Sequence, residues 1–149
     1  MSDEFLKELW EEKAKKEKAE KKWKIDIFDL ENLLATKNKE AKKYFIEYLG
    51  QLKKSCLRYL ETCEDLEKAA KNLREGASGE ELATNQNLVK QADMARRLAH
   101  NVVVDNLNIL SRLCKKYNLD DSWRKYFSSF EMIGEWAYEM GKILKGNEG

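Results

Sequence analysis

Residues 49–73 read LGQLKKSCLRYLETCEDLEKAAKNL, and apolar side chains recur in this stretch at alternating steps of three and four. This spacing keeps one apolar stripe of a helix facing a partner helix. The first stripe comprises Leu49, Leu52, Cys56, Tyr59, Cys63, Leu66, Ala70 and Leu73. A second stripe with the same spacing comprises Leu88, Ala92, Ala95, Ala99, Val102, Asn106, Ile109 and Leu113. The two stripes predict two long helices that pack in a bundle.

The fold class follows from these helices and from the absence of residues that would break them. The chain of 149 residues contains no proline, and its periodicity is helical throughout. Its length fits one domain with a core of its own. Short connections make successive helices antiparallel. We therefore predict an all-α, antiparallel up-and-down four-helix bundle with an extended charged N-terminal helix.

The beginning of the chain predicts a charged helical arm. The run Glu11–Lys22 is rich in helix formers and in Glu and Lys four residues apart, a spacing that supports a solvent-exposed helix. Apolar periodicity resumes at Trp23 and continues to Leu34, so the first helix of the bundle should end near Ala35.

This change of pattern divides the chain into a charged N-terminal arm, residues 1–22, and a helical bundle domain, residues 23–149. Phe5, Leu6 and Leu9 begin an apolar pattern that does not continue. Such leftover apolar residues indicate either an arm that packs on a second subunit or an arm that folds back on its own bundle.

Capping signals mark the ends of the long helices. Asn38 can cap a second helix over residues 39–74, because its side chain can accept a backbone N–H that the first turn leaves unpaired. Ser78 and Glu81 have the spacing of a capping box, which predicts a third helix over residues 79–117.

A fourth helix should follow Asn118, which can end the third helix in the left-handed conformation. Asp120, Asp121 or Ser122 can cap it. Its apolar face carries Trp123, Tyr126, Phe127, Phe130, Ile133, Ala137, Met140 and Leu144. Gly134 and Gly141 lie on this face, and because glycine weakens a helix, their small size predicts a close approach of another helix.

Composition and charge exclude several classes of protein. Lys and Arg number 28 and Asp and Glu number 27, so the formal charge is +1. No global field favours nucleic acid or an anionic membrane, and the sequence has neither a signal peptide nor a long apolar run. We expect a cytoplasmic protein that binds neither nucleic acid nor a membrane. Lysines concentrate in residues 13–24 and 37–54 and acids in residues 61–81, which indicates solvated faces or, alternatively, a surface for an acidic partner.

The cysteines and the single histidine do not match a metal site or a disulfide pattern. Cys56 and Cys63 would lie about 10.5 Å apart along one helix, beyond the reach of a disulfide. The sequence contains none of the spacings that bind zinc or a di-iron centre, and no phosphate-binding or nucleophile motif. We therefore expect no metal, no cofactor and no enzymatic activity.

Polar side chains interrupt the apolar arc of the third helix and mark a candidate site. Folding the second helix onto the third about Ala77 puts Asn106 near Tyr48, Arg96 near Tyr59 and His100 near Lys54 or Ser55. The predicted ligand-binding residues are therefore Tyr48, Tyr59, Arg96, His100 and Asn106, in a pocket suited to an anionic or amide-bearing ligand. The structural alternative is that the buried Asn sets the register of the helices, the Arg stacks on a Tyr and the His is simply hydrogen-bonded.

The same region carries a resemblance. The segments RRLAHN at residues 96–101, NLNIL at residues 106–110 and RLC at residues 112–114 resemble small uncharacterised helical proteins of Firmicutes-type bacteria. These segments hold no chemically specific motif, and the resemblance implies no activity.

Two functional hypotheses follow. The first is a non-enzymatic protein–protein interaction or regulatory helical module that self-associates, with a dimer as the expected state. The second is a small-ligand-binding helical bundle with a polar pocket around Arg96, His100 and Asn106.

Overall fold

The computed structural model describes residues 23–75 and 78–148, without the side chains of residues 147 and 148. These residues form helices only: α1 spans Ile27–Leu33, α2 spans Lys39–Arg74, α3 spans Glu80–Lys116, a 3-10 helix spans Ser122–Tyr126 and α4 spans Phe130–Glu148. The predicted all-α class is confirmed, and the helices pack as a bundle. The predicted charged arm, residues 1–22, lies outside the described residues.

The core is built mainly between α2 and α3. α4 packs on α2 and makes a smaller contact with α3. The largest fully buried side chains are Trp123, Trp136, Phe45, Ile27, Leu30, Leu34, Leu52, Leu107, Leu110, Met140, Val103 and Thr62. Across the described ranges, no helix has both the length and the apolar character needed to cross a bilayer.

Burial decreases along α2 and α3 toward the connection between them. α2 has no buried residue after Thr62, and α3 has none before Ala99. Leu88 and Val102, which we predicted in the buried stripe of α3, are each 48% exposed. That expectation is wrong for these two residues: Val102 lies on a different side of α3 from the fully buried Val103, and Leu88 lies in the part of α3 toward the connection, which has no buried residue.

Two of the predicted caps are confirmed. The Asn38 side chain accepts two backbone N–H groups from the first turn of α2, at 3.0 and 3.2 Å. Asn118 has a φ of 57°, and the backbone N–H of Leu119 donates to the Cys114 carbonyl oxygen at 2.7 Å. Asn118 thus ends α3 in the left-handed conformation, as the sequence predicted.

The predicted capping box at Ser78 is wrong. The N-cap of α3 is Gly79, with a φ of 65° and no side-chain hydrogen bond to the first turn. Glycine adopts this conformation without steric cost, so the chain enters the helix one residue later than Ser78 would require. α3 therefore begins at Glu80.

The start of the predicted fourth helix is also wrong. Trp123 and Tyr126 lie in the 3-10 helix, and α4 begins only at Phe130. The chain breaks before Ser129, whose hydroxyl accepts the backbone N–H of Met132 at 3.1 Å and so satisfies a donor in the first turn of α4.

Arg124 holds this connection against α3. Its Nε and Nη2 donate to Oδ1 of Asn108 at 3.1 and 3.0 Å, and its Nη1 donates to the Phe127 carbonyl oxygen at 3.0 Å. Phe127 in turn packs edge-on against the ring of Trp136, with ring centroids 4.9 Å apart. The 3-10 helix thereby contributes to the core although it does not continue α4.

α1 is joined to α4 by hydrogen bonds. Nε1 of Trp136 donates to the Ile25 carbonyl oxygen at 2.8 Å, and the backbone N–H of Ile27 donates to Sδ of Met140 at 3.3 Å. α1 ends at Leu33, two residues before the predicted end. This short helix closes one side of the bundle.

Candidate functional site

A cavity of about 520 Å³ lies where α2, α3 and α4 meet. Three of the five predicted ligand-binding residues line it: Tyr59, Arg96 and His100. The other lining residues are Cys63, Glu67, Glu131, Gly134, Glu135, Tyr138 and Glu139. We call this the three-helix cavity.

His100 is fixed in the wall of the three-helix cavity. The residue is 4% exposed, and its Nε2 lies 2.7 Å from the Phe130 carbonyl oxygen. Because a carbonyl oxygen only accepts, Nε2 must carry the hydrogen. The ring also stacks on Phe130, with centroids 3.6 Å apart, and contacts the Tyr59 ring at 5.3 Å. Burial lowers the pKa of His100, so the ring is neutral at pH 7.

Gly134 allows α4 to approach this histidine. A Cβ at position 134 would lie 2.8 Å from Cε1 of His100 and 3.0 Å from the Tyr59 hydroxyl oxygen. Gly141 has the same role further along α4, where a Cβ would lie 2.7 Å from the Cys56 carbonyl oxygen. The close approach that the two glycines predicted is confirmed, and the structure identifies α2 and α3 as the elements approached.

Arg96 is oriented by its own helix. Nη2 and Nε donate to Oδ1 of Asp93 at 2.9 and 3.2 Å, and Asp93 also pairs with Arg97 at 3.0 Å. The hydrogen bond from Arg96 lowers the pKa of Asp93, so the pair is fully charged at neutral pH. Burial raises the pKa of Tyr59, and the nearby Arg96 opposes that rise.

Tyr48 and Asn106, the other two predicted residues, do not line the cavity. Tyr48 is half-buried against the core. Asn106 is buried, and its Nδ2 donates to the Gln51 carbonyl oxygen at 3.4 Å. The predicted pairing of α2 with α3 put Asn106 beside Tyr48, about one helical turn along α2 from its observed partner Gln51. The start of α3 at Glu80, one residue later than predicted, accounts for part of this shift.

A second surface of interest lies along α2 and α3, where two shallow grooves are lined by these two helices alone. We call this the front face. On α3 it carries a row of uncharged side chains, all apolar except Gln91, which we call the apolar row: Leu88, Gln91, Met94, Ala95, Leu98 and Val102. On α2 it carries a charged row: Lys54, Arg58, Glu61 and Asp65. Met94 and Leu98 are 64% and 65% exposed, which is high for large apolar side chains arranged side by side.

No protein-family model, curated protein or solved structure matches this chain. Any role of the three-helix cavity or of the front face therefore has to follow from the chemistry of their own side chains. Among the residues that the structure describes, no group of His, Cys, Asp and Glu could hold a metal ion, and all three cysteines are free.

The charges of the three-helix cavity favour a different ligand from the one that the sequence indicated. Its lining carries four carboxylates, from Glu67, Glu131, Glu135 and Glu139. Its one guanidinium already pairs with Asp93, and His100 is neutral. A lining of this charge attracts cations and repels anions. The arrangement therefore suits an amine better than an anion, which was one of the two kinds of ligand, anionic or amide-bearing, expected for the predicted pocket.

Sequence reasoning missed the α4 side of the cavity, which includes Glu135, Tyr138 and Glu139. The apolar periodicity of α4 marked Gly134 as a point of close contact but did not show which helix it contacts. Two features of the sequence could have indicated this contact. Gly134 needs a close neighbour to account for its small size, and His100 is a polar residue that needs a hydrogen-bond partner.

Proposed function

We propose that this chain is a non-enzymatic helical module that binds protein through the front face and self-associates. One observation supports this above all: Leu98 and Met94 are about two-thirds exposed in a row that has no charged side chain from Leu88 to Val102. Large apolar side chains aligned on one face are typical of protein interfaces.

The arrangement of the helices supports a rod with one open side. Gln51 contacts Asn106 and Tyr59 contacts His100, so residue numbers rise along α2 as they fall along α3. This favours an antiparallel pairing of α2 and α3, which the proposed up-and-down bundle requires. We also propose a cytoplasmic, reducing setting, which is consistent with the free thiol of the half-buried Cys63.

Sedimentation velocity over a wide range of protein concentration tests this function. Leu98→Glu puts a charge on the most exposed side chain of the apolar row and should shift the protein to the monomer. Ile46→Glu is a matched control: Ile46 is 63% exposed but lies in a groove beside α1, away from the front face.

We expect the wild type and Ile46→Glu to associate alike and Leu98→Glu to stay monomeric. A wild type that remains monomeric at every concentration would contradict self-association. Equal association of all three proteins would contradict the use of the front face.

A small-ligand-binding bundle is the second candidate, because the three-helix cavity brings Tyr59, Arg96 and His100 together. Its charge favours an amine. NMR titration with spermidine and, separately, with citrate tests this: spermidine should shift the His100 ring signals and citrate should not. The double variant Glu135→Gln/Glu139→Gln should lose the spermidine response, and absence of any shift in the wild type would rule out the candidate.

A further inference from the structure

The order of charges along the front face is that of a surface that pairs with itself. We infer that its partner is a second copy of this chain, packed face to face about a two-fold axis at the level of Leu98. This inference rests on the proposed function and adds the identity of the partner and the geometry of the contact.

The level of the axis follows from contacts between α2 and α3. His100 lies against Tyr59 and Asn106 lies against Gln51. The same register places Leu98 beside the turn of α2 that separates Arg58 from Glu61. The middle of the charged row therefore lies at the height of Leu98, the most exposed large apolar side chain of the apolar row.

The charged row is complementary to its own reverse. In order along α2 it runs Lys54, Arg58, Glu61 and Asp65, two basic residues followed by two acidic ones, and Arg58 and Glu61 also pair within α2. Lys68 continues the same face, and the axis sets it opposite the uncharged Gln51 of the second copy. A two-fold axis that lies in the interface and perpendicular to the helices sets α2 antiparallel to α2 of the second copy. Lys54 then faces Asp65 of the second copy, and Arg58 faces its Glu61. A two-fold axis parallel to the helices would instead set the charged row of each copy against the apolar row of the other and leave the charges without partners.

The apolar row is reversed by the same axis. Leu98 meets Leu98 of the second copy, and Met94 meets its Val102. Gln91 then faces Asp105, the first charged residue after the row, and its amide can donate to that carboxylate. The axis thus gives the Gln91 amide a partner.

Closed two-fold dimers require that the same patch be complementary to itself. An unrelated protein partner imposes no such condition on the order of charges along α2. The order of charges along α2 places the axis, and the contacts between α2 and α3 put the exposed Leu98 at that level. A self-complementary order of charges favours a second copy over an unrelated partner.

Disulfide trapping tests the position of the axis. In the full-length chain, Leu98→Cys should form a covalent dimer under mild oxidation, because only a residue at a two-fold axis meets its own copy. Ile46→Cys is the matched control, since Ile46 has nearly the same exposure as Leu98 but lies elsewhere. The wild type, with Cys63 half-buried and the other two cysteines buried, reports the background.

A charge exchange tests the antiparallel pairing. Lys54→Glu turns the two opposite-charge contacts between residues 54 and 65 in every dimer into two like-charge contacts. The dimer Kd should therefore rise by about tenfold. Asp65→Lys should do the same. The double variant Lys54→Glu/Asp65→Lys restores opposite charges across the axis and should return the Kd to near that of the wild type.

The outcomes separate this inference from the proposed function. Trapping through Leu98→Cys together with recovery in the double variant supports the dimer. If the wild type associates through the front face but either result is missing, the inference is wrong and the proposed function stands. If the wild type is monomeric, the inference and the proposed self-association both fail.

Discussion

Gly134 lies so close to His100 that a Cβ on the glycine would stand 2.8 Å from Cε1 of the imidazole. The same Cβ would stand 3.0 Å from the Tyr59 hydroxyl oxygen, so α4 contacts α2 and α3 at one point. His100 cannot easily move aside, because its Nε2 is held by the Phe130 carbonyl oxygen and its ring stacks on Phe130. This contact sets both the floor of the three-helix cavity and the position of α4.

Gly134→Ala should therefore destabilise the protein by about 1–3 kcal/mol, the usual cost of adding a methyl group to a filled site. Urea denaturation measures the change. Gly50→Ala is the control, because Gly50 is also inside a helix but has no atom within 4 Å of an added Cβ. It should stabilise the protein by about 0.5–1 kcal/mol, since alanine is the better helix former. Equal effects of the two substitutions would contradict the close contact.

His100 should make the stability depend on pH. Burial holds its pKa below the ordinary value of about 6.5, so the unfolded chain binds this proton first as the pH falls. The contribution of neutral His100 to the free energy of unfolding is fully present above about pH 6.5. It is lost as the pH falls from about 6.5 toward the pKa of the folded state.

NMR titration of the only histidine in the chain measures the folded pKa directly. In parallel, urea denaturation from about pH 7.5 to about pH 5 should show a steeper loss of stability in the wild type than in His100→Gln, which cannot titrate. An NMR pKa at or above about 6.5 would refute the prediction.

Asn38→Ala should cost about 1 kcal/mol, because it removes the acceptor for two backbone N–H groups at the start of α2. Ser78→Ala should change the stability by less than about 0.5 kcal/mol, since α3 is capped by Gly79 and the Ser78 side chain makes no capping bond. Thermal or urea denaturation compares the two variants. A loss of stability above about 0.5 kcal/mol for Ser78→Ala would instead support the capping box that the sequence suggested.

Asn106→Leu should leave the free energy of unfolding unchanged or raise it by up to about 1 kcal/mol. The bond from Asn106 to the Gln51 carbonyl oxygen is long, at 3.4 Å, and Asn106 is buried. Replacing a weakly bonded buried amide with an aliphatic side chain of similar size is often neutral or stabilising. A loss above about 1 kcal/mol by urea denaturation would show that this amide is needed for stability.

The features that sequence reasoning predicted correctly depend on residues close together in the chain. The caps at Asn38 and Asn118 are made within a few residues, so their chemistry is visible in the sequence. At Ser78 the same reasoning failed, because Gly79 adopts a positive φ that the side-chain pattern does not reveal. In the fourth predicted helix, apolar periodicity continued through Trp123 although the backbone breaks before Phe130.

The candidate site was only partly predictable. Tyr59 and Arg96 were placed together by the antiparallel pairing of two long helices, and both line the three-helix cavity. Tyr48 and Asn106 were included through an error of register, since a shift of one turn in long paired helices changes every facing residue. The acidic side of the cavity, with Glu135 and Glu139, comes from a helix whose partner the sequence did not reveal.

Apolar periodicity and capping chemistry in this chain thus establish that it is helical, where α2 begins and where α3 ends, because those properties arise from interactions within one or two turns. They do not establish which stripes are covered. Val103 is fully buried and its neighbour Val102 is half exposed, although both are good core residues, since burial depends on where α2 and α4 lie. The open front face and the charge of the three-helix cavity arise only when segments far apart in the chain pack together.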